Sequence, residues 1–204
     1  MKCISQDVRD VGRGHAEILL EQISNCLEMA GIGYTDLNRI SVSSGPGSFT
    51  GIRVGLAAAR GLGLGLDIPV VGITTLQACE MTARQTGFTG TLLSVLDAGR
   101  NQLYCKHSGL QNCWIASAEE VASELIGEID GICGSGAPII SPLLADNPVT
   151  VHELRAMPIS VYAELGQSAD ACNPLPEPVY LRKADAKPQH GSLTRISATG
   201  DRDG

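Results

Sequence analysis

Apolar side chains recur at Ile18, Leu19, Ile23, Cys26, Leu27 and Ala30, close to the helical period, so a helix is expected over 15–30 with Gly31 as its left-handed stop. Leu20 widens that stripe. A short strand over 39–43 breaks into SSGPGSFTG, where Gly and Pro punctuate the backbone and Ser48 or Thr50 caps the next helix, 49–66. Asp67-Ile68-Pro69 ends it, Val70 to Ile73 reads as a buried strand, and Thr74 opens a third helix reaching Gln85. Beyond TGFTG, the apolar run 92–96, the turn Asp97–Asn101 and the alternating stretch 102–106 predict a β-hairpin. Ser117 caps a helix through Ile126, Gly131 to Gly134 forms a short strand entering a CGSGAP turn, and 159–167 is helical. The pattern predicts an α/β protein of two lobes with mainly parallel sheets, divided as 1–86, 87–186 and a solvated tail 187–204.

The second helix carries the densest signal. Gly51, Gly55, Ala59 and Gly63 fall four residues apart and place small side chains along one face, where another backbone can come close. Its five glycines, 51, 55, 61, 63 and 65, each cost about 0.5–1 kcal/mol relative to Ala, so roughly 3–5 kcal/mol must be offset by close packing. Two readings stay open: packing against the chain's own sheet, or a docking face for a second helix pair. Arg53 and Arg60, seven apart, border that face or are ordinary solvated charges. The loop ahead of the helix could present backbone N–H groups to an anion, but no Lys follows the glycines and the G-x-G-x-x-G spacing is missing.

Composition narrows the function classes. The chain has 204 residues, 43% of them hydrophobic, and no apolar run approaches the length that crosses a bilayer. A net charge of −7 opposes the phosphate backbone, so contact with RNA is expected only through a partner. Seven scattered cysteines without a C-x-x-C pair favour reduced thiols over a disulfide framework or a zinc site. His15 would suggest a metal ligand only with a second His one turn on, where Leu19 stands; His107, His152 and His190 lack ligand spacing too. Asp97 and Arg100 read as a turn pair, and no Ser/His/Asp or Cys/His set can be assigned, so no catalytic and no metal residue is expected. With no charged and apolar leader at the start, the chain reads as cytoplasmic.

At GRGHAEIL, SVSSGPGSFTGIRVGLAAARGLGLGLDIPVVGITTLQA, VLDAGRNQLY and PVYLRKADAKPQ, from Arg9 to Gln189, the chain resembles the TsaB (YeaZ) family of tRNA threonylcarbamoyladenosine biosynthesis proteins. The resemblance implies an actin-like ATPase (ASKHA, ribonuclease H-like) fold of two related lobes and a noncatalytic relative of the TsaD enzyme. TsaD transfers threonylcarbamoyl from its adenylate to N6 of the adenosine beside the anticodon, in tRNAs reading codons that begin with A. In that family the first two helices pair with the equivalent helices of TsaD, or self-pair into a homodimer. Carried onto this sequence, the interface positions are His15, Leu19 and Ile23 on the first helix and Gly51, Arg53, Gly55 and Ala59 on the second. The ATPase TsaE is a further implied partner, with ATP or ADP at the subunit junction near Gly47, Ser48 and Thr50, and no cofactor held by the chain alone. Family members open with two further strands, so the resemblance implies a truncated N-lobe, which would leave backbone groups between a strand near Cys3 and the one at Ile40 unpaired. The competing readings are an autonomous glycopeptidase-like or sugar-kinase-like enzyme, and a non-functional truncated remnant.

Overall fold

A computed structural model of the chain describes residues 3–9, 15–110, 112–125, 127–170 and 175–181. The tail 187–204, Cys172 and His190 lie outside the described residues. Capping chemistry sets the helix boundaries. Helix α1 (His15–Ala30) closes at Gly31 with φ +70°. Strand β1 (Ile40–Gly45) leads into α2 (Phe49–Leu66), whose first turn is capped by Ser48 Oγ accepting from the Gly51 N–H and whose end is the left-handed Asp67. Strand β2 (Val70–Thr74) runs into α3 (Thr75–Arg84) through a capping box between Thr74 and Gln77. Each of these elements matches its expected span to within a residue or two.

Strands β1 and β2 pair in parallel as a two-stranded sheet, Ile40 opposite Val70 and Ser43 opposite Ile73. Helix α2 lies on one face: a methyl group at Gly55 would touch Val42, and one at Gly63 would collide with Val70 and come within 3.1 Å of the Ile68 carbonyl. On the opposite face α3 and a late helix, α6 (Ile159–Ser168), enclose Ile73, Ala78, Val161 and Tyr162. Gly166 of α6 sits directly against Ser41, and the Arg39 guanidinium closes the end of α6 by donating to the carbonyls of Gly166 at 2.6 Å, Gln167 at 3.2 Å and Ala169 at 2.8 Å. A cation over the last carbonyls answers the orphan acceptors and the negative end of the helix dipole. Placed by sequence with the second lobe, α6 therefore packs on the first sheet. Residues 3–9 do not form the strand expected near Cys3, since among the described residues none pairs with them.

The second sheet comprises β3 (Leu92–Gly99), β4 (Gln102–His107), β5 (Trp114–Ser117), β6 (Gly131–Cys133) and β7 (Thr150–His152). Their order is β5-β4-β3-β6-β7. As expected, most pairings are parallel, namely β1–β2, β3–β6 and β6–β7; β3–β4 and β4–β5 are antiparallel. The two-residue turn Arg100-Asn101, with φ +57° and +58°, folds the chain straight back as the β3–β4 hairpin. One face of this sheet packs on α4 (Ala118–Leu125) and α5 (Ala137–Ile140) through Leu93, Val95, Leu103 and Ile132. Its other face meets α3, where Cys79 and Ala83 pack on Leu92 and Cys133. Here Lys106, 7% exposed, pairs with Glu80 at 2.9 Å, and Arg84 reaches the same carboxylate at 3.6 Å. Helix α3 is thus sandwiched between the two sheets.

Six described thiols are free, and burial and pairing set their acidity. The Cys79 thiol is pushed up by its hydrogen bond with Cys133 and by burial, and that same bond pulls Cys133 down. Burial pushes Cys105 up to about 12. Two outcomes follow from these contacts. Gly166→Ala inserts a methyl into Ser41 and is expected to lower stability by about 1–3 kcal/mol in urea unfolding, with partial recovery in Gly166→Ala/Ser41→Gly. Because Cys105 holds its proton when folded and releases it near pH 9 when unfolded, stability should fall by about 1.4 kcal/mol per pH unit for this thiol as pH rises from 9 towards 12. Cys105→Ala should flatten that alkaline limb, and an unchanged slope would refute the assignment.

Candidate functional site

The end of β1, the start of α2 and residues 175–181 converge on one surface. Ser44, Gly45 and Pro46 are buried, and the Gly45–Pro46 peptide is cis. A side chain at Gly45, φ +92°, would press on Ile52 at 2.7 Å, so the turn closes down on the first turn of the helix. Residues 47–50 then emerge exposed. Of the three expected nucleotide-loop residues, Gly47 and Thr50 are open to solvent and Ser48 commits its hydroxyl to the Gly51 N–H.

Residues 175–181 form a strap over this junction. The Val179 N–H donates to the Ser44 carbonyl at 2.8 Å, Pro176 packs on Gly72, and Arg60 donates from Nε and Nη2 to the Pro176 carbonyl. At the far end Arg53 lies flat on the Phe49 ring, 3.6 Å from its centroid, and its Nε donates to the Tyr180 hydroxyl at 2.9 Å. The two rings stand 5.7 Å apart and each is 51% exposed. Guanidinium stacking on an aromatic face fixes a side chain that is otherwise rich in rotamers. The pair Arg53 and Arg60 thus grips the chain's own strap.

The structure separates the expected interface residues. Ala59 is buried, and Gly51 and Gly55 are half-buried, turned towards Ser48 and Val42 of the same chain. Gly55, Ala59 and Gly63 lie on the side of α2 that the bulky Ile52 and Leu56 draw onto the sheet, and Gly51 faces its own cap Ser48. Leu19 and Ile23 line an open, mainly apolar groove of about 660 Å³ together with Ile4, Leu37 and Ile159. His15 starts α1. Of the seven positions, Arg53 is exposed beside Phe49 and Tyr180.

Sequence reading passed over the opposite side of the same helix. Phe49, Arg53, Ala57, Gly61 and Gly65 recur four apart and are exposed, with Leu64 beside them 87% exposed. A methyl group added at Gly61 or Gly65 would meet nothing within 4 Å. The available signal was the phase of Ile52 and Leu56, which marks the inward side. Among the described residues no three His, Cys, Asp or Glu side chains gather as a metal site, and no helix is long and apolar enough to cross a membrane.

A family model described as TsaD, tRNA N6-adenosine threonylcarbamoyltransferase, matches residues 9–186. The tRNA threonylcarbamoyladenosine biosynthesis protein TsaB of Escherichia coli (strain K12) is 32% identical over 117 residues, 57% of this chain and 51% of its own. The chain thus spans about half the length of that curated relative. An uncharacterized protein of Mycobacterium bovis is 34% identical over 178 residues, 86% of this chain and 79% of its own length. A Pseudomonas aeruginosa crystal structure, described as similar to the peptidase YEAZ, matches with a TM-score of 0.69 at 23% identity, covering 84% of this chain and 86% of that one. These matches fit the actin-like fold expected from the sequence.

Two glycines of α2, two residues apart, should respond oppositely to the same substitution. Gly61→Ala, on the open side, is expected to raise stability by about 0.5–1 kcal/mol, and Gly63→Ala to lower it by about 1–3 kcal/mol through Val70 and the Ile68 carbonyl. Urea unfolding of both variants checks the sign; equal responses would mean that the helix is rotated from the orientation described.

Proposed function

The chain belongs to the TsaD family of tRNA N6-adenosine threonylcarbamoyltransferases, among its TsaB and YeaZ relatives, and from that premise we propose that it acts in tRNA threonylcarbamoyladenosine biosynthesis as a noncatalytic scaffold. It binds a TsaD-type subunit through the outward side of α2 and activates it for modification of tRNAs reading codons that begin with A. One observation carries this reading: among the described residues Gly61 and Gly65 have no neighbour that requires a glycine, yet they flank a leucine left 87% exposed. Two such glycines weaken the helix by about 1–2 kcal/mol without internal return, which is understandable if a second helix approaches from outside. Apolar and small residues at that spacing suit helix-on-helix packing.

Under the same reading the docking residues shift from Gly51, Gly55 and Ala59 to Ala57, Gly61, Leu64 and Gly65, with Arg53 retained. Gly47, Ser48 and Thr50 stand where ATP or ADP would bind at the subunit junction, with TsaE recruited to the pair. The protein then works in the cytoplasm beside tRNA, reached through the complex because its own charge is −7. A second reading, an autonomous peptidase-like enzyme, takes its support from the description of the Pseudomonas aeruginosa neighbour.

Purified full-length chain mixed with the TsaD-type subunit of the same organism tests the proposal. Leu64→Asp and Gly61→Leu are expected to weaken the complex at least about tenfold and to reduce tRNA threonylcarbamoylation in parallel, with circular dichroism unchanged. Wild-type complex formation and modification in both variants would sink it. Peptide hydrolysis by the isolated chain would favour the second reading.

A further inference from the structure

The exposed end of α2 holds a cation in an unusually fixed pose. Arg53 is an exposed residue, yet its guanidinium lies 3.6 Å from the Phe49 centroid and 5.8 Å from that of Tyr180, and its Nε is tied to the Tyr180 hydroxyl at 2.9 Å. Among the described residues, the two terminal nitrogens carry no hydrogen bond. Two donors of one planar group therefore stay available on an exposed side chain whose plane rests on a ring and whose Nε is held by a hydroxyl. That is the geometry of a receptor for a planar, bidentate anion. Its ordering cost is met within the fold, before any partner arrives.

The geometry points to Arg53 as a preformed carboxylate receptor: it anchors an Asp or Glu side chain of the protein that covers the outward side of α2, with Phe49 and Tyr180 as the walls of the receptor. This rests on the proposed docking reading and names the partner chemistry within it. Two observations favour a carboxylate over an RNA phosphate. Arg53 stands on the same four-residue repeat as Ala57, Gly61 and Gly65, so a helix seated there passes its fork. The chain as a whole is acidic, −7, and offers a nucleic acid no long-range attraction. Arginine and tyrosine are also the residue types that dominate interface energetics when a surrounding rim excludes water. Tyr180 acts as a positioning residue, since it reaches the partner's acid through Arg53.

Isothermal titration of the full chain with the TsaD-type subunit, at low and high salt, separates the outcomes. Arg53→Lys keeps the charge but loses the fork, and should weaken binding about tenfold; Arg53→Met should do the same and flatten the salt dependence. Tyr180→Phe keeps the ring and frees Nε, and should cost about threefold. Thermal melts should stay within a degree or two, because both side chains are exposed and the strap keeps its Val179–Ser44 and Arg60–Pro176 bonds. If the Arg53 variants bind within twofold of wild type while Leu64→Asp still disrupts the complex, the receptor is refuted and the docking side stands. If Leu64→Asp is also silent, the docking reading fails with it. If the Arg53 variants instead lose only tRNA retention, with subunit affinity unchanged, the anion is a phosphate and the carboxylate assignment is overturned.

Discussion

The approach of two helices to opposite faces of a two-stranded parallel sheet is the constraint on which the first half of the molecule depends. Two parallel strands bury little by themselves. Here α2 closes one face, with Gly55 in contact with Val42 and Gly63 too close to Val70 for a methyl group, and α6 closes the other through Gly166, where a methyl group would collide with Ser41. Arg39 fixes α6 along its length by gathering three terminal carbonyls. With the sheet gripped from both sides, the rotation of α2 about its own axis is no longer free. That rotation decides which side chains of α2 face outward.

Helix α3 extends the constraint to the second sheet. Its Ala78 side meets Ile73 and Val161, and its Cys79 side meets Leu92 and Cys133, so one helix serves two cores. The ion pair of Glu80 with the buried Lys106 sits at the second contact. Such a pair contributes little net stability against an apolar equivalent, but removing either partner strands the other charge. It specifies how α3 lies on β4 more than it holds it there. The thiols beside it, Cys79 and Cys133, are similarly matched to one another within a closed, apolar contact.

Long, capped, strongly periodic elements were legible in the sequence: α1 ends at Gly31, and α2 begins and ends where Ser48 and Asp67 require. Strand β7 was not, because Thr150–His152 has two exposed residues and takes its conformation from parallel pairing with β6. In the second sheet the hairpin of β3 and β4 was legible in the turn Asp97–Asn101, whereas the pairing of β5 with β4 depends on tertiary contact. At the candidate site the sequence displayed the glycines of α2 but not their direction. The series Gly51–Gly55–Ala59–Gly63 and the series Arg53–Ala57–Gly61–Gly65 are offset by two residues, about 200° round the helix, so they face opposite ways. Both series have small residues; tertiary contact alone distinguishes the one that packs inward. Tyr180 was invisible as a neighbour of Arg53 because 127 positions separate them and only the strap joins them.

A helix lined with small residues on two opposite sides performs two tasks that conflict in energy. On the inner side Gly63 permits close contact with Val70 of β2 and recovers its helix-weakening effect as packing, while the outer Gly61 and Gly65 have no such contact among the described residues. What the outer side gains is a surface that loses little side-chain entropy when covered, since Ala57, Gly61 and Gly65 have no rotamers to freeze. The one long polar side chain on that line, Arg53, is already immobilised between Phe49 and Tyr180. Glycine economy along the helix and aromatic clamping at its end therefore act in the same direction: both move the ordering cost of association from the encounter into the folding of the chain.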